Sequence, residues 1–276
     1  MTHTSFNNVL LGDKVELFDQ LCCINNNTPL IISEIFEEIR NYDSSMFSFW
    51  EEAGLQSKII TYLLHYTIPF YELLESEGKN NVGLLTTQLL SCLAWRTFDN
   101  CIDGHESNKV AHLNSIQTCM HLIDYAQFKN LNSTISQVKG HYNVMLEQAI
   151  QEAINPIELD HIWKRCSIFL YAPETFATLN ETNITTYKNF INYTGLAHDL
   201  TDLVSDISGG AISLPIFWMR EANEYNWINV KVMKSVYQKA RDSVKHVEDY
   251  FRQNDIEHKF PMLNHLLKQS SSILNS

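Results

Sequence analysis

Apolar residues recur at intervals of three and four positions along most of the chain, and no stretch alternates strictly between apolar and polar residues. The first spacing is typical of helices that bury one face, whereas strict alternation is typical of half-buried strands. The segment 30–40 is a clear example, with an apolar side made of Ile31, Ile35, Phe36 and Ile39. We therefore predict an all-α protein, a helical bundle that forms a single domain over residues 1–276.

Glycine, proline and polar runs interrupt this pattern and delimit the predicted helices. Residues 1–29 are predicted to be loosely organised, with a turn at 25–29, and residues 78–83 to form a loop. The predicted helices are 30–40, 47–75 with a break near Pro69, 89–103, 109–128, 136–154, 157–170, 189–206, 214–221, 229–253 and 259–274.

Three aspartates share one face of the predicted helix 189–206, which Gly209, Gly210 and Pro215 then end. At about 100° per residue, Asp199, Asp202 and Asp206 fall within roughly 60° of one another. Aspartate is a poor helix former, and two carboxylates about 6 Å apart repel by roughly 3 kcal/mol at an effective dielectric constant of about 20. A bound divalent cation would relieve this repulsion. A solvated acidic face near a helix end is the alternative.

A second acidic pair lies at the end of the predicted helix 89–103, where Asp99 and Asp103 are one turn apart. Gly104 weakens the helix just after this pair, which leaves Glu106 in the following loop. Two apolar helices that each end in paired aspartates predict one shared metal site. The expected ligands are Asp99, Asp103 and Asp202 first, Asp206 and Asp199 next, and Glu106 last.

The two acidic segments resemble the two aspartate-rich motifs of the trans-isoprenyl diphosphate synthases and of their class I terpene synthase relatives. The second motif of that family is written G-x-x-F-Q-x-x-D-D-x-x-D, and the chain aligns with it without a gap from Gly195 to Asp206. Leu203 replaces the second aspartate, and His198 with Asp199 replaces Phe-Gln.

Shorter matches extend the resemblance from about residue 55 to the C-terminus. Residues 99–103 stand in for the first motif, D-D-x-x-D, and Ser-Leu-Pro at 213–215 is similar to the family's Thr-Leu-Pro. Residues 163–167 are similar to its Lys-Thr helix, in which the lysine, here Lys164, holds diphosphate. The resemblance implies the isoprenoid synthase fold, an α-helical bundle around a central active-site cavity, and Mg²⁺ as the cofactor, with three ions expected.

The resemblance also implies roles for individual residues. Catalysis and metal binding fall to Asp99, Asp103, Asp202 and Asp206, with Asp199 as a further metal ligand. Diphosphate contacts are expected from Lys164, then Arg165 and Arg96, and for Arg96 the alternative is an intrahelical partner for an acid. A carbocation requires an aromatic wall, for which the candidates are Phe98, Trp95, Phe169, Tyr193, Phe217 and Trp218, although aromatic residues at helical spacing are also typical of an ordinary core. His198 is a further expected substrate contact. Arg220 and Arg252 lie in later helices, and their roles stay open.

Departures from the family pattern bear on the reaction. Synthases that lengthen a prenyl chain bind isopentenyl diphosphate through a Gly-Lys-Arg loop and an Arg-Arg pair, and neither occurs here. We therefore favour a class I terpene synthase, a carbon–oxygen lyase that ionises one linear prenyl diphosphate (C10–C20), releases pyrophosphate, and cyclises or quenches the carbocation. The alternatives are a trans-prenyltransferase, which joins the cation to isopentenyl diphosphate or another acceptor, and a non-catalytic partner subunit.

The composition of the chain limits the kinds of partner that it can bind. The net charge of −12 argues against nucleic acid and anionic membranes, because both require basic surfaces. The chain contains no apolar run long enough for a membrane span and no N-terminal signal pattern, and its 6 cysteines lack paired spacing. We expect a reduced, cytoplasmic enzyme of isoprenoid biosynthesis. A homodimer is plausible by analogy with relatives of this fold.

Overall fold

Helices account for all the regular secondary structure that a computed structural model of the chain describes. The described residues are 13–52, 55–103, 108–129, 135–154, 158–177, 179–210, 213–221 and 230–275. No strand occurs within these ranges, and none of their helices is both long and apolar enough to cross a membrane. The prediction of an all-α fold is confirmed.

The chain divides into two compact units, residues 1–141 with 168–180 and residues 142–167 with 181–276. The first unit contains two π-helical turns, Leu63–Thr67 and Tyr171–Phe176. Its helices are α1 (Asp13–Ile24), α2 (Thr28–Tyr42), α3 (Met46–Glu52), α4 (Gln56–Tyr62), α5 (Ile68–Ser76), α6 (Val82–Asp103) and α7 (Asn108–Phe128). The single domain expected over residues 1–276 stays a prediction.

Helix α8 (Ile135–Ile154) begins in the first unit and continues into the second. The helices of the second unit are α9 (Asp160–Arg165), α10 (Glu181–Thr201), α11 (Leu203–Gly209), α12 (Leu214–Glu221), α13 (Val230–Gln253), α14 (Ile256–Lys259) and α15 (Pro261–Leu274).

Helix α6 is the central element of the first unit, where it packs against α2, α4, α5, α7 and both π-helical turns. Residues 83–94 are all buried, as expected for a helix that is covered on every side. From Trp95 to Cys101 the side chains are partly exposed, except that of Thr97, which is buried. The end of α6 that carries Asp99 therefore leaves the core and reaches an accessible surface.

Helix α10 has the corresponding place in the second unit, where it packs against α9, α11, α12, α13 and α15. Tyr187, Phe190, Leu196 and Leu200 are buried along it and supply the apolar contacts that hold these helices together. Asp199 is also buried, at 5% exposure, and this is unusual for an aspartate.

Most predicted helices are confirmed. The segment 30–40 lies in α2, and all four residues of its apolar side are buried. Helices α7, α8 and α12 begin and end at or within one residue of the predicted bounds. Helices α13 and α15 match the last two predicted helices to within two residues. The loop predicted at 78–83 is confirmed for residues 78–81, whereas Val82 and Gly83 already belong to α6.

The N-terminal segment needs a correction. Residues 1–29 are predicted to be loosely organised, yet 13–24 form α1. Leu17 and Leu21, four residues apart, are both buried, so a short apolar stripe is enough to anchor this helix. Residues 1–12 lie outside the described residues.

The region 47–75 is divided more finely than predicted. The chain forms α3 and then a continuous helical path from α4 to α5 that widens into a π-helical turn at Leu63–Thr67. The N–H of Ile68 donates to the carbonyl of Leu63, five residues earlier, immediately before Pro69. Because proline has no N–H and its ring crowds the preceding turn, this wider turn explains how the path continues past Pro69.

Two further helices end earlier than predicted. The α-helix predicted over 157–170 ends at Arg165, a 3-10 turn follows at Ser167–Leu170, and Pro173 lies in the second π-helical turn. The helix predicted over 189–206 is interrupted at Asp202, whose φ of −88° and ψ of 0° lie in the sparsely allowed bridge region. The predicted glycine stop is confirmed, because α11 ends at Gly209 and Gly210 adopts a left-handed φ of 75°.

Candidate active site

The accessible end of α6 holds the first of the predicted metal ligands. Asp99 accepts a hydrogen bond from Arg96, with 2.7 Å between Oδ2 and Nη1, and both side chains are 20% exposed. The two residues are three positions apart, so one face of the helix carries both. This ion pair is the alternative predicted for Arg96, namely an intrahelical partner for an acid.

An aromatic cluster surrounds Trp95, one turn before Asp99. The ring of Trp95 lies 5.5 Å from that of Phe169, centroid to centroid, and Phe169 lies 4.7 Å from Tyr66. Tyr62 contacts the rings of Trp95 and Phe169, each at 6.2 Å. Trp95 and Phe169, which the sequence places in the substrate cavity, are thus in contact with each other.

Tyr62 links this cluster to the charged pair. Burial raises the pKa of its phenol well above the ordinary value, while Arg96 lowers that pKa and Asp99 raises it. Both charged side chains are therefore close enough to Tyr62 to influence its ionisation. The phenol therefore stays neutral near neutral pH.

Sequence reasoning did not identify Tyr62 and Tyr66 as members of this aromatic cluster. They are four positions apart in the helical path from α4 to the first π-helical turn, a spacing that is typical of any buried helix face. Nothing in that pattern distinguishes them from core residues. Their role becomes visible only through Phe169, which is more than a hundred residues later in the chain.

Other predicted residues of the first unit are placed in part. Asp103 is the last residue of α6, and its side chain lies outside the described residues, as do Gly104 and Glu106. Phe98 is half-buried on α6.

In the second unit, Asp199 pairs with Arg165. The Nη2 atom of Arg165 donates to Oδ1 of Asp199 over 3.1 Å, and the side chains are 22% and 7% exposed, respectively. The second oxygen of Asp199, Oδ2, is buried without a hydrogen-bond partner among the described residues. Such an atom is costly to bury, so this carboxylate has unused capacity for a donor or a cation.

Helix α9 lies directly on α10 at this position. A Cβ atom on Gly195 would overlap the Cγ2 atom of Ile162, so the two backbones approach closely only because residue 195 is glycine. Nearby, Oδ1 of Asn192 accepts the backbone N–H of Trp163 over 3.0 Å. Lys164, the predicted diphosphate ligand, follows on α9 with its Nζ atom 5.7 Å from the centroid of the Trp163 ring.

The remaining acidic residues are more accessible. His198 Nδ1 lies 3.4 Å from Asp202 Oδ2, and these two side chains are 70% and 45% exposed. Asp206 is half-buried on α11. The three carboxylates of the second motif, those of Asp199, Asp202 and Asp206, thus lie near the junction of α10 and α11.

Tyr193 packs against helix α13. Its hydroxyl donates to Glu248 over 2.9 Å, and its ring contacts Phe251 of α13 at 6.1 Å. Burial, partly opposed by Ser271 and reinforced by Glu248, raises the pKa of Tyr193 to about 12. Among the residues left open, Arg252 pairs with Asp249 over 2.9 Å on an exposed surface, and Arg220 is half-buried in α12.

Within the described ranges, no group of three or more His, Cys, Asp or Glu side chains is arranged to hold a metal ion. Each acidic set lies in its own unit: Asp99 and Asp103 in the first, and Asp199, Asp202 and Asp206 in the second. A metal site shared by the two sets stays a prediction.

Comparison with known proteins adds evidence on the fold. No protein-family model and no curated protein matches the sequence. Among solved structures, the geranylgeranyl pyrophosphate synthase from Corynebacterium glutamicum is similar in fold, with a TM-score of 0.51 and 16% sequence identity over 90% of this chain and 94% of that one. The chain therefore has the all-α fold of the isoprenoid synthase type. The resemblance that the sequence motifs indicate is confirmed at the level of the fold.

Proposed function

We propose that this protein ionises an allylic prenyl diphosphate in a Mg²⁺-dependent reaction that releases pyrophosphate. The observation that carries the proposal is the position of Asp99 on α6, one turn from Trp95, whose ring packs in an aromatic cluster with Tyr62, Tyr66 and Phe169. Ionisation of an allylic diphosphate produces an anion and a carbocation together. A carboxylate that binds metal and a wall of aromatic rings next to it suit these two products.

The acidic residues fit the proposed cofactor. Mg²⁺ prefers oxygen ligands and commonly bridges a few carboxylates to phosphate oxygens, and the two motifs supply carboxylates alone. The buried Oδ2 atom of Asp199, which lacks a partner, supports this assignment because a bound cation would satisfy it. When bound, the ions, three by analogy, would stabilise the negative charge on the departing pyrophosphate. Asp99, Asp103, Asp202 and Asp206 are the proposed ligands, with Asp199 as a further one.

The basic residues would have two roles, the orientation of the metal ligands and the binding of diphosphate. Arg96 and Arg165 already hold the carboxylates of Asp99 and Asp199, so we assign them the orientation of these ligands. Lys164 has its Nζ atom 5.7 Å from the centroid of the Trp163 ring, and it is the proposed direct contact to diphosphate. His198, exposed beside Asp202, is proposed at the rim.

The aromatic residues would protect the carbocation. Each ring face attracts positive charge by about 0.5–2 kcal/mol, and buried rings keep water away from the reacting carbon. Trp95 and Phe169 are proposed for this wall together with Phe98, and Tyr62 and Tyr66 join them through their ring contacts.

Between the two reactions open to such a site, we favour a class I terpene synthase, a lyase that uses a single substrate. The support is the missing Gly-Lys-Arg and Arg-Arg contacts to isopentenyl diphosphate. A trans-prenyltransferase is the second candidate. It is favoured by the fold likeness to a geranylgeranyl pyrophosphate synthase over nearly the whole of both chains.

Product analysis separates the candidates. The purified protein is incubated with Mg²⁺ and geranyl, farnesyl or geranylgeranyl diphosphate, each with and without isopentenyl diphosphate. Release of pyrophosphate with a volatile hydrocarbon or alcohol from one substrate supports the lyase. A longer prenyl diphosphate formed only with isopentenyl diphosphate supports the prenyltransferase. Absence of pyrophosphate release in every combination contradicts both and favours a non-catalytic partner subunit.

We also propose that two copies of the chain pair through α7. Four apolar residues of this helix, Val110, Leu113, Ile116 and Met120, are each 49–61% exposed, and the stretch between Lys109 and Asp124 contains no charged residue. Lys109 and Asp124 are equally far, seven residues each, from the central pair Ile116 and Gln117. If two copies of α7 paired antiparallel about this centre, Lys109 of each copy would lie next to Asp124 of the other. An exposed apolar stripe of this kind is typical of an interface.

A further inference from the structure

Four positions of α10 form one face that contacts α9. Lys188, Asn192, Gly195 and Asp199 follow one another at intervals of four, three and four residues, which places them on one side of the helix. Lys188 lies with Nζ 4.5 Å from the centroid of the Trp163 ring, and Gly195 meets Ile162. Asp199 ends the series with its ion pair to Arg165. The six residues of α9 are therefore held along their whole length by α10.

Asn192 is the polar centre of this contact. Its side chain is 1% exposed, and both of its polar groups are used by α9. Oδ1 accepts the backbone N–H of Trp163 over 3.0 Å, and Nδ2 donates to Oδ1 of Asp160 over 3.4 Å. Trp163 is the fourth residue of α9. The N–H groups of the two residues before it, His161 and Ile162, donate to backbone carbonyls of the preceding turn, whereas the N–H of Trp163 donates to the Asn192 side chain.

Packing and hydrogen bonding contribute differently to this contact. The Gly195–Ile162 approach sets how close the helices come, but apolar packing is not directional and would allow α9 to rotate. Hydrogen bonds weaken steeply when their angle changes. The paired bonds of Asn192 therefore fix the rotation of α9 about its own axis. Lys164 and Arg165 follow directly in sequence, so this rotation also sets where their cationic groups lie.

We propose that Asn192 is a positioning residue of the diphosphate-binding site. It holds α9 in the orientation in which Arg165 reaches Asp199 and Lys164 is available for the diphosphate. This assignment rests on the proposed function, because Lys164 matters here as a diphosphate ligand. Asn192 is 1% exposed, so we assign it no direct contact with substrate or metal.

Exchange of the Asn192 and Asp160 side chains tests the proposal. In Asn192→Asp, a buried carboxylate at position 192 faces the exposed carboxylate of Asp160, so the two acids repel and α9 shifts. In the double variant Asn192→Asp/Asp160→Asn, the amide and the carboxylate have changed places, and one donor again meets one acceptor while Trp163 keeps its acceptor. Asp160→Asn alone is the matched single variant. Thr186→Val is the control, because Thr186 is buried on the same helix but bonds Thr182 and Tyr250 instead.

Two measurements are needed on each full-length variant. Amide hydrogen exchange at Trp163 reports the contact itself, and calorimetric titration with inorganic pyrophosphate and Mg²⁺ reports the site. We expect Asn192→Asp to expose the Trp163 amide and to weaken pyrophosphate binding about tenfold or more, with the double variant within about threefold of wild type. Thr186→Val lowers the midpoint of thermal unfolding and leaves pyrophosphate affinity unchanged.

The outcomes separate this inference from the function on which it rests. If Trp163 exchange changes in Asn192→Asp while pyrophosphate affinity does not, Asn192 is only structural and the inference is wrong. If the double variant fails to recover affinity although its Trp163 amide is protected, the inference is also wrong. If wild-type protein binds no pyrophosphate with Mg²⁺ and yet shows the exchange pattern, the contact is real and the proposed function fails, and the positioning role fails with it.

Discussion

Arg165 and Asp199 form an ion pair in which Nη2 of the arginine lies 3.1 Å from Oδ1 of the aspartate. The sequence suggests a separate role for each, diphosphate binding for the arginine and metal binding for the aspartate. Their contact joins the end of the short helix α9 to the buried end of α10. The pair thus connects the two elements that carry the basic and the acidic residues of the second unit.

Breaking this pair should be destabilising from either side. Asp199→Asn and Arg165→Gln each leave a charged partner in a mostly buried position, and we expect each to lower the free energy of unfolding by about 1–3 kcal/mol. The double variant should lose less than the sum, because it leaves no unpaired charge. Urea denaturation of the four proteins measures this. Additive losses would mean that the two side chains do not stabilise each other.

Replacement of Gly195 by alanine should destabilise the protein, although alanine has the higher helix propensity. In an open helix, Gly→Ala stabilises by about 1 kcal/mol, but a methyl group at 195 would overlap Ile162. We therefore expect Gly195→Ala to destabilise by about 1–3 kcal/mol and to reduce activity by moving α9. Thermal unfolding and turnover measure the two effects, and Ile162→Ala should recover part of the loss in the double variant.

Gly140→Ala is the matched control for that substitution. Gly140 lies inside α8, and a Cβ atom there would meet nothing within 4 Å. We expect this variant to be more stable than wild type by about 0.5–1 kcal/mol and fully active. A Gly195→Ala protein that gains stability as Gly140→Ala does would show that α9 can yield at Ile162.

The parts of the fold that follow from local pattern could be predicted. Helix α12 has the predicted bounds, and the end of α11 at Gly209 follows from the glycine pair, because spacing and helix stops are properties of neighbouring residues. The interruption at Asp202 could not be predicted, because the backbone hydrogen bonds are helical on both sides of it. The N–H of Asp202 donates to the carbonyl of His198, and the N–H of Asp206 donates to the carbonyl of Asp202. The interruption is a change of dihedral angle with no distinct residue pattern.

The candidate site shows the same limit more strongly. The sequence identifies Asp199, Arg165 and Phe169 individually by motif and spacing. The partners that give them a role, Arg165 for Asp199 and Tyr66 for Phe169, come from segments far apart in the chain. Only packing in three dimensions brings them together, so a single sequence supplies the residue types and leaves the pairing undetermined.

Removal of the proposed metal ligands should abolish turnover without unfolding the protein. The side chains of Asp99 and Asp202 are 20% and 45% exposed, and the ion pair of Asp99 with Arg96 lies within one helical turn, so Asp99→Ala and Asp202→Ala should each cost less than about 1 kcal/mol of stability. Each should reduce pyrophosphate release by a factor of about a thousand or more if it removes a ligand of the reacting metal. Asp249→Ala, which removes an acid paired with Arg252 on α13, is the control with unchanged turnover. Loss of the helical circular dichroism signal would instead make these residues structural.

Stability at alkaline pH should report on Tyr193. Its pKa is raised from 10.0 to about 12, so the stabilisation by its neutral hydroxyl is complete below pH 10 and is lost as pH rises from 10 towards 12. Tyr193→Phe lacks the bond to Glu248 and should be less stable by about 1 kcal/mol at neutral pH. Because phenylalanine does not titrate, the difference should shrink and then reverse as pH rises through this window. Unfolding free energies measured in parallel test this, and a difference independent of pH would place the Tyr193 hydroxyl in solvent.

Pairing through α7 predicts a change of mass on substitution of one exposed residue. Ile116 is 61% exposed, so Ile116→Lys should leave the fold and its unfolding temperature unchanged while converting dimer to monomer in light scattering after gel filtration. The charges at the two ends then test the antiparallel arrangement. Asp124→Lys should weaken the dimer, because it would face the partner's Lys109, and Lys109→Asp/Asp124→Lys should restore it. Leu30→Lys, at an exposed apolar residue of α2, is the matched control that should leave the mass unchanged. Wild-type protein that remains a monomer at high concentration would contradict the interface.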